Sequence, residues 1–365
     1  MHSEENITSK AYRLTQPGTF EEKNIYHSFS DNQVVIETNM VSICHADIRY
    51  YSGQRRKEAM RKKLPMALFH EGIGHVIKSN CNDFQKGDRV VIVPNIPARR
   101  LNEGEKYKSD LVQKESVTDN YLPDSVFLGS GFDGIGQQYL VLSRENVVPI
   151  PNDVPDEIAV LAELTSVSLQ AVKNVSGFLK SSEGYVAVFG DGPVGYLTAA
   201  VLHHMYNVSK ENLIVYGASN ERLKNFEFAK THHIQDVDFH EMENVKIVIE
   251  CTGGDFSKES INQAIELIEP RGKVVLMGVS EEYVPINTRD VLEKGLTIYG
   301  SSRSTEDEFK SLMQAFRKKE FQYTLRKLIP KEHNTVKNAK DLESEMERSI
   351  NNKEWKKTLL HLKWD

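Results

Sequence analysis

The stretch Val186–Ala200, VAVFGDGPVGYLTAA, limits the fold of this 365-residue chain more than any other. A short apolar run ends in Gly190-x-Gly192-x-x-Gly195 and passes at once into a helix-forming run. Gly190 suits a tight turn, Gly192 lets the backbone approach a pyrophosphate, and Gly195 lets the helix lie close on the sheet. Pro193 and Val194 open that helix, whose free N–H groups face the phosphate charge. A turn of this kind predicts a dinucleotide site in a doubly wound parallel sheet.

The flanking pattern agrees. From about residue 155, PDEIAVLAELTSVSLQAVKNV has apolar residues at helical spacing, with Pro155 suited to a helix start. Strand-like YVAVFG, NLIVYG, VKIVIECTG, GKVVLMGVS and LTIYGSS then alternate with helical PVGYLTAAVLHHMY, NERLKNFEFAK and INQAIELIE. The first 150 residues read instead as strands: QVVIETNM, GHVIKS, DRVVIVPN, QQYLVL and NVVPIP, separated by turn formers, predict an all-β, barrel-like unit. Within it the polar residues 97–125 predict a solvated loop. Residues 305–365 carry two charged helical stretches and end on strand-like KKTLLHLKW. The fold class is therefore α/β plus β, in two domains.

Forty-six basic and fifty-two acidic residues leave a net charge of −6, which speaks against nucleic acid or a membrane surface as main partner. No apolar run has membrane-spanning length, and MHSEENITSK lacks the character of a secretory signal. Three widely spaced cysteines form no disulfide framework. A cytoplasmic protein is expected.

The second strand of a dinucleotide sheet ends in a carboxylate when it binds the free ribose hydroxyl of NAD. Gly217 stands there, followed by Ala218, Ser219, Asn220, Glu221 and Arg222. A glycine leaves room for a 2′-phosphate, to which Ser219, Asn220 and Arg222 can donate. NADP is the expected cofactor, with Glu221 turned away.

A second group of residues suits a metal. Cys44 in SICHAD, the adjacent His70 and Glu71 in FHEGIGHVI, and Glu163 in LAELTS offer a thiolate, an imidazole and carboxylates, a donor set compatible with zinc. Each also has an ordinary reading, Cys44 as a small buried side chain and Glu163 as a surface charge. His70 and Glu71 present a difficulty, since neighbours on a strand point to opposite faces. Gly72 and Gly74 follow, and the expectation is that they let the backbone bend. HEGIGH is no zincin motif: four residues, not three, separate its histidines, and the glycines oppose a helix. His75, the pairs His203–His204 and His232–His233 (in or beside helices of the parallel-sheet half), Cys81 and Cys251 read as structural or exposed.

Taken in order, Cys-x-x-Asp, His-Glu-Gly-x-Gly, an acidic residue and then the nucleotide half resemble the zinc-dependent medium-chain dehydrogenases. The segments SICHADIRYYSGQ, KLPMALFHEGIGHV, AELTSVSLQA, GDGPVGY, NTRDVLEKGLTIYGSSRS and WKKTLLHLKW are similar to the ribulose-5-phosphate reductases within that family. The resemblance implies a GroES-like catalytic domain at 1–160 and 303–365 and a Rossmann NADP-binding domain at 161–302. It assigns Cys44, His70, Glu71 and Glu163 to one catalytic zinc, Glu71 in some states only, and gives Asp47 the task of orienting the zinc-bound histidine. It implies pyrophosphate contacts from His45 and Lys357, and a nicotinamide contact from the backbone of Met277–Val279, Val279 in particular.

Relatives with a structural zinc hold it through four closely spaced cysteines. This chain has none between Cys81 and Cys251, so that zinc is not expected. The hydroxyl and histidine of an alcohol proton relay are replaced by Ala46 and Arg49. The activity implied is zinc- and NADPH-dependent reduction of D-ribulose 5-phosphate to D-ribitol 5-phosphate, toward CDP-ribitol and teichoic-acid or capsule polymers. A cytidylyltransferase is the implied pathway partner and a homodimer the implied assembly. Arg49, Tyr50, Arg55, Arg303 and, with less support, Arg56 are the residues expected at the sugar phosphate. The alternative is a zinc dehydrogenase of an unphosphorylated polyol or alcohol.

Overall fold

The structure is a computed structural model and describes residues 5–98, 117–122, 125–181, 183–239, 244–351 and 355–364. The chain divides into two compact units, Met1–Glu163 with Ser304–Asp365, and Leu164–Arg303.

The first unit opens with an antiparallel hairpin of Glu5–Gln16 and Thr19–Phe29. Its larger sheet runs in the order Val147–Pro149, Arg89–Ile92, Glu71–Ser79, Gln33–Ser42, Leu359–Leu362, Asn334–Val336, with Tyr139–Ser143 also paired to Gln33–Ser42. Val34, Ile36, Val41, Leu68, Phe69, Val90, Ile92, Ile135 and Leu360 fill its interior, each fully buried side chain of this kind contributing about 1.5–3 kcal/mol. Leu359 lies opposite Ser42 in the antiparallel pairing, and the Ile43 N–H donates to the Thr358 carbonyl at 3.0 Å. That register delivers Lys357, near the end of the chain, to the exit of the strand that leads into Cys44. The expected loop at 97–125 lies largely outside the described residues; beside it Asn95–Ile96 pairs with Val126–Phe127.

Among the described residues three helices, not two, follow in this unit: Glu306–Ala315, Lys319–Arg326 and Ala339–Asn351. The first starts on a capping box, in which Thr305 and Glu308 satisfy each other's backbone donors.

The second unit is a six-stranded parallel sheet in the order Lys230–His233, Leu213–Gly217, Tyr185–Phe189, Val245–Glu250, Lys273–Leu276, Thr297–Gly300. Numbered along the chain this is 3-2-1-4-5-6, the doubly wound arrangement. Ala187, Phe189, Ile214, Val248, Ala264 and Val274 lie in its core. The helix expected over NERLKNFEFAK is a single turn, Asn220–Leu223. Asn225 ends it by donating its amide to the Glu221 and Arg222 carbonyls at 3.2 and 3.1 Å, a local bond that competes with helix continuation. The chain then forms the strand Lys230–His233, so His232 and His233 belong to an edge strand and not to a helix. Among the described residues no helix is long and apolar enough to cross a membrane.

Candidate metal centre and nucleotide site

The strand Gln33–Ser42 runs out into Cys44, which caps the helix His45–Tyr51. Asp47, in that helix's first turn, accepts the Cys44 N–H through Oδ2 at 2.8 Å and the Phe69 N–H through Oδ1 at 3.2 Å. One buried carboxylate thus ties together the two segments that carry the cysteine and the histidine. The Cys44 thiol, the His70 imidazole and the Glu71 carboxylate offer donor atoms all within 4.8 Å of one another. Donors this close can reach one ion, whose bonds to sulfur, nitrogen and oxygen run about 2.0–2.3 Å.

The side-by-side His70 and Glu71 have a different explanation from the one expected. Gly72 and Gly74 lie within the strand Glu71–Ser79, and the bend comes before them. Phe69 has φ +74°, the left-handed region that a bulky residue rarely adopts. His70 therefore precedes the strand and Glu71 begins it, and both turn to one centre. The two glycines serve close packing: a Cβ at Gly74 would stand 2.4 Å from the Glu37 carbonyl oxygen, and one at Gly72 2.9 Å from Ile135.

The centre is rich in negative charge. Glu71 and Asp47 are fully buried, and His70 and Glu163 nearly so. Burial, reinforced by Glu71 and Asp47 and opposed by His70 and Lys357, pushes the Glu163 carboxyl up to about 7. Burial likewise raises Asp47. For His70 burial alone would favour the neutral ring, but Cys44, Asp47 and Glu163 outweigh it and hold the imidazole well above its ordinary value. The Nδ1 of His70 is buried with no hydrogen-bond partner and stands 3.9 Å from Asp47. A thiol, an imidazole with a buried unsatisfied nitrogen and an excess of carboxylates fit a divalent zinc ion, whose charge would balance them.

Lys357, expected at the cofactor pyrophosphate, lies buried within its own unit. Its buried ammonium donates to the Ile43 carbonyl at 2.8 Å and to Glu71 Oε1 at 3.0 Å, and stands 2.9 Å from Oε2. Burial would lower its pKa, but Glu71 and Cys44 more than compensate and raise it.

His45 is exposed at the helix start, Arg49 and Arg55 are half-buried, and Tyr50 is buried. The Arg55 guanidinium lies over the Tyr50 ring, 4.8 Å from its centroid. Arg56 is exposed. Arg303 is the last residue of the other unit, with φ +58°, and burial lowers its pKa.

In the second unit Gly190 turns the chain at φ +119°. A Cβ at Gly195 would fall 1.9 Å from the Gly190 carbonyl oxygen, so only glycine lets the helix Pro193–Tyr206 approach its strand this closely. The argument from Gly217 needs correction. A Cβ there would meet Asp191 Cβ at 2.6 Å and Oδ2 at 2.8 Å, so the space read as open is filled by the Asp191 carboxylate. Asp191 accepts the Ser219 N–H at 2.7 Å and stands 3.5 Å from the Arg222 guanidinium. Ser219 in turn caps Asn220–Leu223.

Two residues here gave no clear sequence signal. Asp191 occupies a variable position of the glycine motif. Glu250, fully buried at the end of an apolar strand, accepts N–H groups of Thr252, Gly253 and Gly278 at 2.7, 3.3 and 3.2 Å. It thereby braces the loop that carries Val279, whose carbonyl accepts the Gly254 N–H at 2.9 Å. Cys251 is packing: burial pushes its thiol up to about 12.

Comparison with known proteins agrees with this architecture. Residues 30–152 match the alcohol dehydrogenase GroES-like domain and residues 219–318 the zinc-binding dehydrogenase domain. Ribulose-5-phosphate reductase 2 of Staphylococcus aureus is 37% identical over 321 residues, covering 86% of this chain and 87% of the relative. Ribulose-5-phosphate reductase of Streptococcus pneumoniae is 33% identical over 94% of both chains. The crystal structure of S. aureus TarJ in complex with NADPH superposes with a TM-score of 0.80 at 30% identity, covering 98% of this chain and all of that one. With its GroES-like and Rossmann units, the chain belongs to the zinc-binding medium-chain dehydrogenases and is an oxidoreductase acting on CH–OH groups.

Proposed function

We propose that the protein reduces D-ribulose 5-phosphate to D-ribitol 5-phosphate with NADPH, using one catalytic zinc and no structural zinc. The observation that carries this reading is the Cys44–His70–Glu71 cluster, half-buried at the cysteine and buried at the other two, in a chain whose relatives named as ribulose-5-phosphate reductases match over most of its length. Zinc bound there supplies a Lewis acid for the C2 carbonyl, and NADPH supplies the hydride. Cys44, His70 and Glu163 would hold the metal, joined in some states by Glu71, whose carboxylate lies with the first two. Asp47 fixes the segment that carries His70, and Lys357 balances Glu71. Ser219 and Arg222 receive the 2′-phosphate, and Gly190, Gly192 and Gly195 let the pyrophosphate approach the helix start. NADPH as cofactor is supported by the NADPH-bound relative. The product is suited to a cytidylyltransferase that makes CDP-ribitol for teichoic-acid or capsule polymers, and a cytoplasmic homodimer fits that role.

Initial rates with D-ribulose 5-phosphate and with D-ribulose, followed as loss of reduced-nicotinamide absorbance, test the reading. A site built to bind phosphate should favour the phosphorylated ketose by about 100-fold or more in kcat/KM. Equal rates, or turnover of the free ketose alone, would leave a zinc dehydrogenase of an unphosphorylated polyol.

The Asp191 carboxylate bears on cofactor choice. Asp191→Asn keeps an acceptor for Ser219 and removes a negative charge next to Arg222. The ratio of kcat/KM for NADPH over NADH is expected to rise roughly tenfold, as about 1.4 kcal/mol of repulsion is lifted. An unchanged ratio would place the 2′-phosphate away from this carboxylate.

A further inference from the structure

We propose that Lys63, the hydroxyls of Tyr50 and Ser130, and the Arg55 guanidinium form the seat for the substrate's phosphate. The inference rests on the function proposed above and names the residues that would give it phosphate specificity. Lys63 ends the short helix Lys57–Lys63, and its half-buried ammonium donates to Tyr50 Oη at 3.0 Å and Ser130 Oγ at 3.1 Å. Those two oxygens are 3.3 Å apart, so the three polar groups form one closed triangle. Arg55 lies over the ring of the same tyrosine, 4.8 Å from its centroid.

Lys63 is not balanced in the way other cations of this unit are. Lys357 faces Glu71, Arg13 faces Asp133 and Arg89 faces Asp156. Among the described residues Lys63 has hydroxyl partners and no carboxylate partner. A half-buried cation with only neutral acceptors is poorly compensated. A phosphate dianion would meet both charges and accept from the two hydroxyls.

Position supports the same assignment. Cys44 and Tyr50 stand at opposite ends of one helix, six residues and roughly 9 Å apart along its axis. A second segment makes the same connection: Phe127 packs its ring 5.4 Å from that of His70, and Ser130 follows three residues later. In ribulose 5-phosphate five bonds separate C2 from phosphorus, roughly 6 Å when extended. Adding about 2 Å from the metal to the carbonyl oxygen and about 2.8 Å from a phosphate oxygen to its donor gives roughly 11 Å, so a substrate with its carbonyl at the metal centre has the length to bring its phosphate to this seat.

The test compares wild type with Lys63→Met and Lys63→Arg, using D-ribulose 5-phosphate, D-ribulose and inorganic phosphate as a competitive inhibitor. Lys63→Met should lower the ratio of kcat/KM for the phosphorylated over the free ketose roughly tenfold or more, and weaken inhibition by phosphate to a similar extent. Lys63→Arg should recover part of both. Should Lys63→Met fail to fold, Ser130→Ala perturbs the same triangle with a smaller change and the same readouts apply. Phosphate inhibition equal in wild type and Lys63→Met overturns the seat. Rejection of ribulose 5-phosphate by a wild type that still binds inorganic phosphate through Lys63 supports the seat and overturns the function proposed above.

Discussion

Cys44→Ala is expected to lower the metal content well below that of wild type and to reduce kcat by far more than 100-fold. Loss of a group that merely supports a metal ligand costs about 10–100-fold, and Cys44 is itself placed among the donors, within 4.8 Å of His70 and Glu71. Metal analysis of the purified variant beside steady-state rates decides the matter; full activity with unchanged metal would remove Cys44 from the centre. The same donor set makes metal binding depend on pH. In the metal-free protein Glu163 is held up to about 7, chiefly by burial. A carboxyl raised in this way contributes stability that is present below its unfolded value and lost as pH rises through about 7. Metal bound to the carboxylate must displace that proton, so its stabilising effect grows in the same direction. The melting-temperature difference between metal-loaded and metal-stripped protein should therefore widen between roughly pH 5 and pH 8.

Much of this centre is legible in the sequence because donor chemistry is carried by residue type. Cysteine, histidine and two glutamates are rare company for one another, and Gly190-x-Gly192-x-x-Gly195 announces its strand and helix. What stays hidden is geometry made by unremarkable residues. Phe69 turns the chain into His70, and nothing in a phenylalanine signals a positive φ. The hairpin Glu5–Phe29 is obscured because its second strand is largely polar and exposed, without an apolar alternation to read. Gly217 seemed to open a space, but the occupant, Asp191, comes from a different strand's loop. Such neighbours are set by sheet order, which residue spacing along the chain does not record.

Lys357 is the furthest case, 286 residues from the glutamate it neutralises. Its replacement by methionine is expected to destabilise the unit that holds it by about 3–5 kcal/mol, because a fully buried carboxylate loses its counter-charge. The measurement is the chemical or thermal midpoint of metal-stripped protein, where no ion can compensate for the missing ammonium. Pairing Lys357→Met with Glu71→Gln should recover most of the loss, since the second change removes the charge that the first exposes. A contact to the cofactor pyrophosphate, which resemblance alone suggested for Lys357, makes the opposite prediction: an unaltered midpoint, no rescue by Glu71→Gln, and a KM for NADPH raised roughly tenfold for the loss of one charge-assisted bond. The geometry favours the first outcome. Its ammonium already donates to the Glu71 carboxylate and the Ile43 carbonyl, which leaves at most one of its three N–H groups for a ligand.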